Sequence, residues 1–129
     1  MTLPSSLRRI GDYAFESSRL TSLTLPDSFE TIGSWAFSYA SNLARVDLGG
    51  TTTVSDDAFL NDLALTEVNL RPDLGRLKEI GEDAFGGCAN LTSLVVPASA
   101  TSVEGVSNTG VDTLELGDRV SKLSIVTRG

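Results

Sequence analysis

The dipeptide Ala-Phe occurs four times, at Ala14-Phe15, Ala36-Phe37, Ala58-Phe59 and Ala84-Phe85, and the phenylalanines lie 22, 22 and 26 residues apart. A period of this length means that one supersecondary unit is copied along an axis and buries its apolar side only against its neighbours. The units read 3–25, 25–48, 48–70, 70–96 and 96–116, with a partial unit over 116–129. The fourth carries about four extra residues around 73–77, and the fifth has EGVSNTG in place of the Ala-Phe segment. Residues 1–129 are thus read as a single repeat domain of about five and a half units.

Every unit holds an L-x-x-L-x-L spacing: Leu20/Leu23/Leu25, Leu43/Val46/Leu48, Leu65/Val68/Leu70, Leu91/Leu94/Val96 and Val111/Leu114/Leu116. The last two positions of each triplet are two apart and fall on the same face of a β-strand. Successive strands are nearly a whole unit apart, which suits parallel stacking with a return path and not hairpins. Pro4, Pro26 and Pro97 follow the strand and mark its end, because proline has no N–H for a ladder. A second apolar position comes next (Ile10, Ile32, Val54, Ile80, Val103), then Gly11, Gly33 and Gly81 at a turn. Asp12, Ser34 and Asp56 suit the cap of a short helical turn through Ala-Phe. The expected fold class is α/β: a solenoid with a parallel sheet, one short strand per coil, short helical turns on the opposite side and a buried column of Phe15, Phe37, Phe59 and Phe85.

The pattern L-x-x-L-x-L-P, then I-G-x-x-A-F, then G-G-C-A-N-L in one copy, resembles the BspA-type leucine-rich repeat. The likeness is strong in units one, two and four and weaker in three and five. It implies a curved leucine-rich repeat solenoid of the kind found in bacterial and some protozoan cell-surface proteins, with an extracellular or cell-surface location and a role in adhesion or host-protein binding. The chain itself begins MTLPSSLRRI without the apolar stretch of a secretory signal. An array that starts and stops within a unit points to a segment of a longer protein, with apolar edges at Leu3/Leu7 and Leu123/Ile125 open to end-to-end self-association.

Chemistry is sparse. The sequence has no histidine, the commonest general base and metal ligand. Its one cysteine, Cys88, aligns with Ser18, Ala40 and Asp62 and reads as a structural interior thiol. Asp56, Asp57 and Asp62 do not follow a calcium-loop spacing. The triplet Asn90-Leu91-Thr92 matches a glycosylation acceptor, but Leu91 occupies a core position. No catalytic, cofactor-binding or metal-ligating residue is assigned. Ten basic residues are scattered against 17 acidic ones, a formal charge of −7, which disfavours nucleic acid. No apolar run is long enough for a membrane span.

What remains is recognition of a protein ligand, with a passive spacer between other domains as the alternative. The outward residues of the strands form two rows, Thr24, Asp47, Asn69, Val95 and Glu115, and beside them Ser22, Arg45, Glu67, Ser93 and Thr113. Parallel strands about 4.8 Å apart would align both rows along the array, with Arg45 opposite Glu67. Tyr13 and Trp35, side by side in adjacent units, form a secondary candidate site.

Overall fold

The computed structural model describes residues 3–104, 106, 109–111, 113–115 and 122–123, the last two stretches as strand backbone. The chain is a parallel β-solenoid. Its strands are β1 (Arg9–Ile10), β2 (Ser22–Thr24), β3 (Thr31–Ile32), β4 (Arg45–Asp47), β5 (Thr53–Val54), β6 (Glu67–Asn69), β7 (Glu79–Ile80), β8 (Ser93–Val95), β9 (Ser102–Val103), β10 (Thr113–Glu115) and β11 (Lys122–Leu123). Each coil therefore holds two strands where the spacing of apolar residues predicted one. The second apolar position, at Ile10, Ile32, Val54, Ile80 and Val103, is itself a strand. Its side chains are β-branched and suit a pleated, half-buried surface, and the strands carrying them join β11 in a six-stranded parallel sheet ordered β1-β3-β5-β7-β9-β11.

The helical turns are not there. Among the described residues no segment is helical, and Ala-Phe lies in a run of turns. The reason is where the backbone donors point. Tyr13, Phe15 and Ser17 donate to the carbonyls of Ser34, Ala36 and Ser38 in the next coil, at 3.0, 2.7 and 2.8 Å. Trp35, Phe37 and Tyr39 do the same to Asp56, Ala58 and Leu60, and Asp57, Phe59 and Asn61 to Glu82, Ala84 and Gly86. A helix would keep these donors within its own turn. Here alternate N–H groups run along the solenoid axis and bond neighbouring coils. The geometry requires left-handed backbone at Tyr13, Ser17, Trp35, Tyr39, Asp57, Asn61 and Asp83, with φ between 54° and 62°.

The carboxylates expected to cap helices cap the next coil instead. Asp12 Oδ1 accepts from the Ser34 N–H at 2.9 Å, and Asp56 Oδ1 from the Glu82 N–H at 2.8 Å. This explains the glycines better than a turn does. Neither Gly33 nor Gly81 has positive φ, but a Cβ on Gly33 would lie 2.6 Å from the Asp12 backbone nitrogen, and one on Gly81 would collide with the Asp56 carboxylate. Glycine appears where the preceding coil supplies an aspartate. Where it supplies Ser34, the following coil has Ser55.

The core is a set of ladders. Leu23, Val46 and Leu94 line the inner face of the first strands, with Leu25, Leu48, Leu70 and Val96 beside them. Phe15, Phe37, Phe59 and Phe85 stack with ring centroids 5.3 Å apart and planes within 7° of parallel, as the repeat register requires. Phe29, Ile32, Phe37, Val54, Phe59, Ile80 and Phe85 are fully buried. Leu3, Leu7, Phe15 and Leu20 are partly buried and pack against this core at the first coil. Ile125 and the residues on either side of it lie outside the described residues.

Candidate recognition surface

The strands β2, β4 and β6 form a three-stranded sheet in the register Ser22–Arg45–Glu67 and Thr24–Asp47–Asn69. The strands β8 and β10 pair Ser93 with Thr113 and Val95 with Glu115. The register of the rows is as expected within each group, and Arg45 Nε lies 3.6 Å from Glu67 Oε2, with both side chains largely exposed. That pair contributes a few tenths of a kcal/mol at most. The rows are not continuous, however. No ladder joins β6 to β8, so the expected five-strand surface is split between Asn69 and Val95.

The four-residue excess of the fourth unit causes the split. After β6 the chain turns through Arg71, at φ 52°, and Pro72, which has no N–H to offer. Arg71 then folds back onto the preceding coils. It makes a two-point contact with Asp73, Nε to Oδ1 and Nη2 to Oδ2 both at 3.0 Å. Its Nη1 lies 3.4 Å from both Asp27 and Asp47, and Arg76 donates to the Asp27 carbonyl at 2.7 Å. The contact with Asp73 raises the Arg71 pKa still further above its usual value and holds the Asp73 carboxyl below the usual carboxylate range. With only a fifth of its side chain exposed, Arg71 is the fastener of the inserted loop. Arg71→Met should cost about 1–2 kcal/mol in urea melts, and most of that cost should vanish in 0.5 M salt, because a network of partly exposed pairs is screened.

Two predicted recognition residues turn out to have structural duties. Asp47 Oδ1 accepts from the Gly49 N–H, and Asn69 Oδ1 from the Arg71 N–H, each at 2.9 Å. Both fix the turn that ends their strand. Along the break lies an open groove of about 350 Å³ whose walls include Glu67, Val68, Asn69, Pro72, Ser93 and Val95. A neighbouring depression of about 260 Å³ is lined by Ser22, Thr24, Arg45 and Asp47 together with Glu67 and Asn69. The two hollows thus take in all eight predicted sheet-face residues whose side chains are described; for Thr113 and Glu115 only strand register is known. Val95 is 46% exposed at the groove edge. Val68 and Pro72 were missed in the sequence, and the length excess of the fourth unit was the only signal there.

Tyr13 and Trp35 do lie side by side, stacked with centroids 6.1 Å apart and planes 6° from parallel. Cys88 is buried, and its thiol lies 3.2 Å from the Phe59 carbonyl as a donor. Burial first, and the nearby Asp62 second, push its pKa up to about 12. Asp62 is also fully buried. Its Oδ1 accepts from the Ala40 N–H at 2.7 Å, while Oδ2 has no partner among the described residues. Burial raises its pKa to about 8, so the group is mostly a neutral acid at neutral pH. Asn90 donates its amide to the Leu63 carbonyl at 2.7 Å. The described residues contain no cluster of side chains suited to a metal ion.

A parallel solenoid with stacked phenylalanines and an exposed sheet face defines a repeat scaffold protein. Residues 1–115 match the BspA type leucine rich repeat region in six copies, and the chain belongs to that family. A leucine rich repeat protein from Treponema pallidum superimposes with a TM-score of 0.74 at 26% identity, over 97% of this chain and 72% of that one. A leucine rich cell surface protein from Faecalibacterium prausnitzii gives 0.78 at 25% identity over 90% of this chain, which spans 31% of the larger protein. The pneumococcal vaccine antigen PcpA shares the fold, with a TM-score of 0.63 at 22% identity, and this chain covers 30% of it. No curated protein matches the sequence.

Proposed function

We propose that the chain is a non-enzymatic protein-binding module of a microbial surface protein, and that it engages an extended partner along the sheet face between Ser22 and Val95. The observation that carries this reading is the pair of hollows on that face, whose linings take in the outward side chains of β2, β4, β6 and β8. Solenoids present such faces to partners, and the groove combines apolar Val68, Pro72 and Val95 with the polar Glu67, Asn69 and Ser93. The absence of histidine and the neutral, buried Cys88 support a non-catalytic role. The likeness to a leucine rich cell surface protein supports the location.

Asp47 and Asn69 are poor targets for a test because they hold turns. Arg45→Ala with Glu67→Ala and Val95→Ser changes exposed side chains only, and surface changes usually cost under about 0.5 kcal/mol each. The triple variant should melt within about 1–1.5 kcal/mol of the parent and bind at least tenfold more weakly to whichever of an immobilised panel of collagens and laminins the parent retains. Retention of nothing by the parent, or equal retention by parent and variant, would favour the spacer reading.

A further inference from the structure

A second surface lies on the return path, where residues 11–18, 33–40, 55–62 and 81–88 stack as four layers. These layers contain seven of the chain's 17 acidic residues and none of its ten basic ones, so the rest of the sequence is balanced; Asp62 is buried, and the other six acidic residues reach the surface here. The same position in each layer is left-handed: Tyr13, Trp35, Asp57 and Asp83, with φ of 62°, 61°, 62° and 54°. Aspartate tolerates that conformation, whereas a bulky aromatic there is an outlier that costs free energy. Two adjacent layers nevertheless carry aromatics, and those rings stack, with Tyr13 57% exposed and Trp35 partly buried. Tyr39, in the same layer as Trp35, is 47% exposed. A local rule broken three times, at Tyr13, Trp35 and Tyr39, without gain to the core is where function is to be sought.

The chemistry of the occupant follows from what continues the column. Tyr13 covers one face of the Trp35 indole. Where a third ring would stand, the chain has only Asp57, followed by Asp83. Asp56 and Glu82 adjoin, and the described ion pairs, which involve Arg8, Arg45 and Arg71, reach none of the four. Burial first, and then the charges of Asp83, Asp56 and Glu82, raise the Asp57 pKa. We propose that this face docks an arginine-bearing segment of a partner protein, with a guanidinium stacked on the face of Trp35 turned away from Tyr13 and hydrogen-bonded to the Asp57 and Asp83 carboxylates. A guanidinium is planar, stacks on aromatic faces and presents a fork of donors to carboxylates, which a lysine ammonium does not. The surface is distinct from the sheet face and does not depend on the function proposed for it.

Trp35 is the sole tryptophan of the chain, so its emission reports this site alone. A nonapeptide of alternating glycine and arginine should change that emission saturably. Its lysine counterpart should bind at least about threefold more weakly, and a citrulline counterpart, which keeps the shape without the charge, should not bind measurably. By calorimetry, Trp35→Leu should weaken the arginine peptide about tenfold. Asp57→Asn with Asp83→Asn should do the same while keeping residues that accept a left-handed φ. Arg45→Ala with Glu67→Ala should leave the peptide's affinity unchanged, which separates this surface from the sheet face. Equal affinities for the arginine and lysine peptides, or unweakened binding to a folded Trp35→Leu variant, would reduce the effect to diffuse charge attraction and overturn the proposal. Should that variant fail to fold, unweakened binding to the double asparagine variant overturns it equally.

Discussion

Phe37→Ala should destabilise the solenoid by about 3–5 kcal/mol, the range for removing a fully buried aromatic ring. Phe37 has no solvent exposure and stacks at 5.3 Å on Phe15 on one side and Phe59 on the other. Truncation therefore leaves a cavity with ring faces on both sides. The backbone around it is held by inter-coil hydrogen bonds from Phe37 to Ala58 and from Phe15 to Ala36, so the neighbours cannot collapse freely into the gap. Phe15→Ala is the control. That ring is partly exposed and has one stacking partner, and it should lose about half as much. Urea melts of the two variants would measure both losses, and a loss below 1 kcal/mol for Phe37→Ala would remove the ring from the core.

The second large effect is a dependence of stability on pH that runs opposite to that of a salt-bridged carboxylate. The Asp62 pKa is raised by burial from 3.8 to about 8 in the folded chain. Below about pH 4 both states hold the proton, and the stability is at its full value. Between about pH 4 and 8 the unfolded chain releases the proton and the folded one keeps it, so stability falls as pH rises. Above about pH 8 both are ionised and the loss is complete. At about 1.4 kcal/mol per pH unit the loss is on the order of several kcal/mol across this window. Asp57, also raised, adds to the same trend. Asp62→Asn keeps an oxygen for the Ala40 N–H and removes the ionisation. It should be about as stable as the parent at pH 4 and more stable by a few kcal/mol at pH 8. Melting curves at pH 4, 6 and 8 would test it, and an undiminished slope in the variant would show that Asp62 is not the group responsible.

Much of this molecule was legible in its residues, for reasons that can be named. The Ala-Phe period fixed the register, and equivalent apolar positions in successive copies had nowhere to go but onto each other. The phenylalanine column and the pairing of Arg45 with Glu67 followed. The second sheet was hidden in plain view: a lone Ile or Val per unit shows no alternation, so a two-residue strand leaves no periodic trace. Asp62 was visible as the odd member of an apolar column, but whether such a group turns outward or stays in depends on the coils that enclose it.

Period and residue type alone set the repeat, the first strand of each coil and the buried ladders. Stacking of the coils settled the return path, because a helical turn and a left-handed turn begin with the same small and acidic residues. The choice between them rests on whether the backbone N–H groups find acceptors in their own turn or in the coil alongside. It likewise decided that the fourth unit's extra residues would fold back through Arg71 onto Asp27 and Asp47, 44 and 24 residues earlier, and so divide the sheet. Contacts of that reach exist only once the coils are stacked.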